Sequence, residues 1–176
     1  MAALASTHAG YSAPFEGSLT THVFGSFFQL FGVVYRITDN AAALSRVVQI
    51  VLDEFLADGV RYIELRTGPR EVLETGMTRE VYLEAVLGAM EAHHAAHPEL
   101  TSRLIVSIDR KIRGEKAMGV VELAARLAPR GVVAVDLCGD PYAATYDEFR
   151  PALARARELG LRVVIHVRLL FLLAYR

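Results

Sequence analysis

"GVVAVDLCGDP" (residues 131–141) opens on a glycine, continues as an apolar, β-branched run that contains Asp136, and ends in a Gly-Asp-Pro turn. A helix-period segment followed by a glycine and an apolar run also occurs around Gly59 and Gly160. A glycine that ends a helix directly before a buried strand is typical of consecutive βα units with parallel strands. The sequence therefore predicts an α/β fold that is built from repeated βα units.

Four such units follow one another from about residue 40 onward. Their predicted strands are "VRYIELR" (60–66), "RLIVSIDR" (103–110), "VVAVDLCGD" (132–140) and "LRVVIHV" (161–167). In the first helix we expect a buried stripe of Leu44, Val47, Val48, Val51 and Phe55, and Thr78 is expected to cap the second helix. Right-handed crossovers lead to an open doubly wound sheet or to part of a (β/α)8 barrel. Because a complete barrel takes ~250 residues, we expect a partial (β/α)8 TIM barrel.

Composition argues against several classes of function. The 176 residues include 19 basic and 20 acidic side chains, a net charge of -1, and no basic cluster that would favour nucleic acid. Cys138 is the only cysteine, which excludes an intramolecular disulfide and favours the cytoplasm. No secretory signal is recognisable, and "LLFLLAY" (169–175) is far shorter than the ~20 residues of a membrane span. No membrane association is expected.

Polar side chains stand near the carboxyl end of every predicted strand. The carboxyl ends of parallel strands meet at one edge of a sheet, where α/β proteins place their sites. Four polar strand ends together favour a functional site, although any one of them alone could simply meet solvent. These residues are Glu64 and Arg66, Asp109 and Arg110, Asp136, and His166.

Several of these residues allow two interpretations when each is taken alone. His166, on an apolar strand, is either a metal ligand or a hydrogen-bonded core histidine. Asp136 could orient a ligand or bond to a neighbouring backbone amide. Gly139 could let a substrate approach the backbone or belong to an ordinary turn, and Arg70 suits a phosphate but also an exposed position.

Two further features of the sequence are possible sites. His93 and His97 stand four residues apart on one helical face, a spacing that can bind zinc. They also lie at the end of a helix, where the dipole favours cations, and we expect a solvated helix end there. Cys138 is expected to be a packed residue and not a nucleophile.

Taken together, "GVRYIELRTGPREVLETGMT" (59–78), "SIDR" (107–110), "GVVAVDLCGDP" and "GLRVVIHV" (160–167) resemble the adenosine deaminase superfamily. Within it they are most similar to the N6-methyl-AMP deaminase branch, over about residues 26–167. The resemblance implies a zinc-dependent hydrolase that replaces the 6-amino or 6-methylamino group of a purine nucleoside or nucleoside monophosphate with oxygen. It implies His166 as a zinc ligand, and its implied substrate-site residues are Thr67, Gly68, Pro69, Arg70, Asp109 and Gly139.

The sequence also departs from the pattern of this family. The family has a His-x-His pair on its first strand, and no His-x-His occurs in this sequence. Leu169 stands where the family has its catalytic glutamate, and Tyr35 stands where the branch has a histidine. We therefore expect a chain that has no catalytic residue, does not retain zinc and is inactive.

These departures predict a domain organisation and leave other functions open. We expect a flexible segment at 1–25, a partial deaminase-like barrel at 26–167, and an apolar tail outside the family pattern at 168–176, as in a truncated isoform. One alternative is a non-enzymatic chain that associates with a full-length deaminase or another chain, or self-associates through its open edges and its tail. Another is a metal-free α/β domain that binds a nucleotide.

Overall fold

The computed structural model describes residues 32–140 and 143–166. The predictions for residues 1–25, Leu169 and the tail at 168–176 lie outside the described residues. Residues 32–37 are helical, include Tyr35, and belong to one compact unit. The other described residues belong to a second unit, which carries all of the structure that follows.

The second unit alternates helices and strands along the chain. The helices are α1 (Ala41–Ala57), α2 (Arg79–Ala96), α3 (Glu115–Arg126) and α4 (Arg150–Glu158). The strands are β1 (Tyr62–Thr67), β2 (Thr101–Asp109), β3 (Val132–Cys138) and β4 (Arg162–Ile165). Short 3-10 turns occur at Leu73–Thr75, Ala128–Arg130 and Tyr146–Glu148. In the described residues, no helix has the length and apolar character that a bilayer span requires.

The four strands form one parallel sheet in the order β1-β2-β3-β4. Sequential strands are neighbours, which confirms the prediction of consecutive βα units. The register pairs Thr67 with Val106 and Asp109 with Cys138, so that successive strands end near the same edge of the sheet. We call this edge, with the residues that follow each strand, the rim.

Local sequence explains where the helices begin and end. Asn40 Oδ1 accepts a hydrogen bond from the Ala43 amide at 2.9 Å at the start of α1. The Thr78 side chain accepts from the Val81 amide at 3.2 Å, which confirms the predicted cap of α2. After α4, Gly160 has φ 80°, a left-handed conformation that an L side chain rarely adopts. The glycine thus turns the chain from helix into strand.

The two central strands carry most of the sheet's buried surface. β2 and β3 are buried along nearly their whole length, whereas β1 and β4 alternate between exposed and half-buried residues. Side chains such as Leu104, Ile108 and Leu137 are fully buried there. Burial of such side chains stabilises the fold by about 1.5–3 kcal/mol each.

The predicted stripe on α1 is wrong in part. The buried positions are Leu44, Val48 and Leu52, whereas Phe55 is 38% exposed. α1 packs against α2 along a single row of positions four residues apart. The stripe predicted from the sequence was broader than this row, and it included Phe55, which faces solvent.

Candidate functional site at the rim

Asp136 is the centre of the rim. It lies in β3, is fully buried, and accepts a hydrogen bond from Ser107 Oγ to Oδ2 at 3.1 Å. Its Oδ1 lies 2.9 Å from His166 Nδ1. A buried carboxylate is tolerated only with such partners, because its desolvation is costly. Side chains from three neighbouring strand ends thus meet at one carboxylate.

His166 follows β4 and turns one ring nitrogen toward this carboxylate. Arg66 Nη1 lies 3.4 Å from His166 Nδ1 and 3.7 Å from Asp136 Oδ1. Because arginine can only donate, Nδ1 cannot accept from Arg66 and donate to Asp136 at once. The shorter contact with the buried carboxylate favours a proton on Nδ1. The Nε2 lone pair is then available for a metal ion or a substrate.

Arg110 links the residues that follow β3 and β4 through two hydrogen bonds. Its side chain is buried, Nη1 donates to the Gly139 carbonyl at 3.2 Å, and Nη2 donates to the His166 carbonyl at 3.1 Å. From the sequence, Arg110 was predicted only to be one of the polar residues near the end of a strand. Its role depends on carbonyl groups 29 and 56 residues further along the chain, which no local pattern reveals.

Gly139 packs tightly against Asp109. It has φ 89°, and a Cβ at this position would lie 2.8 Å from Asp109 Oδ1 and 3.2 Å from the Arg110 amide nitrogen. Asp109 Oδ1 also accepts from the Lys111 amide at 2.8 Å. The two predicted substrate-site residues are therefore neighbours, and the glycine is required there by both its conformation and the space available.

The predicted nucleotide-facing segment begins at Thr67, the last residue of β1. Thr67 Oγ1 is 2.6 Å from Tyr82 Oη, and the Arg70 guanidinium lies over the Tyr82 ring, 5.7 Å from its centroid. Arg70 also donates to Thr38 Oγ1 at 2.6 Å. Pro69 is buried and Gly68 is exposed. The segment is thus ordered by α2 and by the residue that begins the second unit.

Cys138 ends β3 beside the two rim carboxylates. Burial first, and then the charges of Asp109 and Asp136, raise the pKa of the Cys138 thiol to about 11. The thiol therefore stays protonated at neutral pH, which makes it a poor nucleophile. This agrees with the prediction of a packed, unreactive cysteine.

The histidine pair on α2 differs from its prediction. His93 is 6% exposed, and its Nε2 lies 3.1 Å from Asp53 Oδ1 on α1. A solvated helix end is therefore wrong for His93, although His94 is exposed and His97 is half-buried. In the part of the chain that the structure describes, Asp53, His93 and His97 form a group of three possible metal ligands.

Comparison with known proteins defines first the class and then the family. A parallel sheet of βα units, with its polar residues gathered at the carboxyl ends of the strands, is the architecture of a (β/α)8 barrel enzyme, present here in part. A sequence model described as "Adenosine deaminase" matches residues 15–168. The chain belongs to the adenosine deaminase family.

Individual relatives agree with this assignment. The N6-Methyl-AMP deaminase of Danio rerio is 38% identical over 143 residues, which are 80% of this chain and 41% of that protein. The crystal structure of the arabidopsis N6-mAMP deaminase MAPDA has 32% identity and a TM-score of 0.75, covering 80% of this chain and 43% of that one. The structure of the ADAL-IMP complex matches with 32% identity, a TM-score of 0.74 and the same coverage.

These matches confirm the resemblance and the partial barrel predicted from the sequence. The chain spans about two fifths of the length of these relatives, 41% of the Danio rerio protein and 43% of the MAPDA chain. The residues implied to bind zinc and substrate lie on or beside the rim described above.

Proposed function

We propose that the rim is part of the metal and substrate site of an aminohydrolase that acts on a purine nucleotide. The observation that carries this proposal is the His166 imidazole, held by the buried Asp136 and exposing its other nitrogen at the strand ends of an adenosine deaminase family member. Relatives are named N6-methyl-AMP deaminases, and one solved relative binds IMP. Water plus N6-methyl-AMP would yield IMP plus methylamine, which accounts for both names.

His166 fits the role of a zinc ligand. A histidine ligand commonly donates its second ring N–H to a carboxylate, which fixes the tautomer and makes the ligating nitrogen more basic. His166 Nδ1 has this partner in Asp136 at 2.9 Å. Bound zinc would polarise and activate a water molecule for attack on the purine. In this proposal Asp136 is a positioning residue, which acts through His166.

The neighbouring residues would hold the nucleotide. Gly139 lets the end of β3 pack directly against Asp109, so that its backbone would reach the nucleotide at the rim. Asp109, next to it, would contact polar groups of the nucleoside. Arg70 carries a guanidinium suited to a phosphate, with the Thr67–Arg70 segment ordered against Tyr82. We assign this activity to the cytoplasm, since Cys138 is a free thiol.

The proposal extends to the activity of the 176-residue chain by itself, which we expect to bind nucleotide without turnover. Catalytic zinc sites use three protein ligands, and the described rim contributes His166. Leu169 stands where the resemblance places the general acid, whose loss costs about 100- to 10,000-fold in rate.

The test combines a binding and a turnover measurement on the full chain. IMP binding by calorimetry should be weakened at least about 10-fold by Arg70→Ala, because a charge-assisted contact contributes ~1.5–3 kcal/mol. The control His94→Ala, at the opposite end of the sheet, should bind IMP as the unmodified chain does. Release of IMP from N6-methyl-AMP, followed by chromatography, should be undetectable.

Three results would overturn different parts of the proposal. Failure to bind IMP would remove the nucleotide site itself. Turnover by the unmodified chain would refute its inactivity but would support the assigned reaction. IMP binding that is unchanged in Arg70→Ala would refute the role of Arg70.

A further inference from the structure

Three potential metal ligands meet at the end of the sheet opposite the rim. His93 and His97 lie one turn apart at the end of α2, which leads into the first residue of β2, and Asp53 reaches them from α1. One donor atom of each residue lies within 4.8 Å of the other two. The two imidazole centroids are 4.8 Å apart, with a tilt of 39° between the rings.

One pair of these donor atoms already has the spacing of a tetrahedral site. Zinc binds nitrogen and oxygen at ~2.0–2.2 Å, which places neighbouring donors about 3.3 Å apart. His93 Nε2 and Asp53 Oδ1 are already 3.1 Å apart. The side chains of Asp53 and His97 are 57% and 42% exposed, so both can rotate inward. The buried His93 would be the fixed ligand and the other two the adjustable ones.

The electrostatic surroundings also favour a cation. The carbonyl end of α2 carries the negative end of the helix dipole. Glu99 Oε1 lies 4.0 Å from His97 Nδ1, so that a further carboxylate adds negative charge beside the three ligands. Imidazole with a single carboxylate suits zinc better than calcium or magnesium, which prefer all-oxygen ligands.

We propose that Asp53, His93 and His97 bind a divalent transition metal ion, Zn²⁺, with water as the fourth ligand. The bound ion cross-links α1 to the end of α2, because it takes ligands from both. The site is independent of the rim, because it shares no residue with it and lies at the other end of the strands. It therefore stands whether or not the proposed aminohydrolase function holds.

The experiment measures zinc binding to the full, metal-free chain by competition with a chromophoric chelator. One equivalent should bind, and it should remain in His166→Gln, which removes the rim ligand. His97→Gln and Asp53→Asn should each weaken zinc binding at least about 100-fold, since even outer partners contribute ~10- to 100-fold. Glu99→Gln should weaken it less than either of these changes, because it removes only a nearby exposed charge.

His94→Gln is the matched control, because His94 lies on the same turn but bonds to the Leu100 carbonyl. Its zinc affinity should equal that of the unmodified chain. Both His97 and Asp53 are solvent-accessible, so their variants should keep the circular dichroism of the parent. Cobalt in place of zinc should give the visible absorption of a tetrahedral site, which His97→Gln abolishes. Wild-type zinc affinity in both His97→Gln and Asp53→Asn, or loss of the equivalent in His166→Gln, overturns the proposal.

Discussion

Two histidine–carboxylate pairs occupy opposite ends of the sheet, and their burial is inverted. At the rim, Asp136 is fully buried while the side chain of its partner His166 is 47% exposed. At the other end, the side chain of His93 is 4% exposed while that of its partner Asp53 is 57% exposed. The contact distances are similar, 2.9 Å and 3.1 Å.

The difference separates the member of each pair on which stability depends from the member that can rearrange. A buried polar group depends on its partners, because water cannot replace a lost hydrogen bond. An exposed partner can exchange its contact for water at little cost. We therefore expect stability to depend on Asp136 and His93, and we expect the exposed His166 and Asp53 to be the members that can turn toward a metal ion.

The largest effect on stability is expected for Asp136→Ala. The change leaves a cavity and deprives the buried Ser107 hydroxyl of its acceptor, at a cost of about 2–3 kcal/mol in the free energy of unfolding. The matched change Asp53→Ala should cost less, about 1 kcal/mol, because it takes one contact from the buried His93 but removes a side chain that is itself exposed and leaves no cavity. Urea denaturation of the metal-free full chain measures both values. Equal losses in the two variants would contradict the inverted roles.

The second comparison exchanges the histidines. His93→Ala empties a buried position that is in contact with α1 and should cost about 2 kcal/mol. His166→Ala should cost about 1 kcal/mol or less, because Asp136 keeps Ser107 and lies 3.7 Å from Arg66. The same denaturation series provides the measurement. A more destabilising His166→Ala would mean that the rim imidazole is itself structural.

The sequence predicts the βα units better than it predicts these two pairs, because each pair joins distant parts of the chain. The βα units were predictable, since glycine and apolar runs act over a few residues. Ser107 and Asp136 are 29 residues apart, and Asp53 and His93 are 40 residues apart. His93 was misread as solvated because its helix alone does not disclose the neighbour that covers it. The rim was predictable in position, since parallel strands align their ends, but the contacts of Ser107 and Arg110 were not.

The smallest effect concerns Cys138, which reports the charge of the rim. Its pKa is raised to about 11 by burial first, then by Asp109 and then by Asp136. An ordinary thiol titrates near ~8.5, so between pH ~8.5 and 11 the unfolded chain loses a proton that the folded chain keeps. Stability should therefore fall with rising pH in this window, and Cys138→Ala should lack that contribution.

Alkylation of Cys138 by iodoacetamide, followed from pH 7 to pH 11, separates the two carboxylates. The rate should keep rising to the upper end of the range, because the thiolate is the reacting form. Asp109→Asn should lower the pKa of Cys138 more than Asp136→Asn does, following the order of their effects, and Asp53→Asn should leave it unchanged. A rate that levels off near pH 8.5 in the unmodified chain would mean that the Cys138 thiol is solvated. It would also mean that the charges of Asp109 and Asp136 do not act on the thiol.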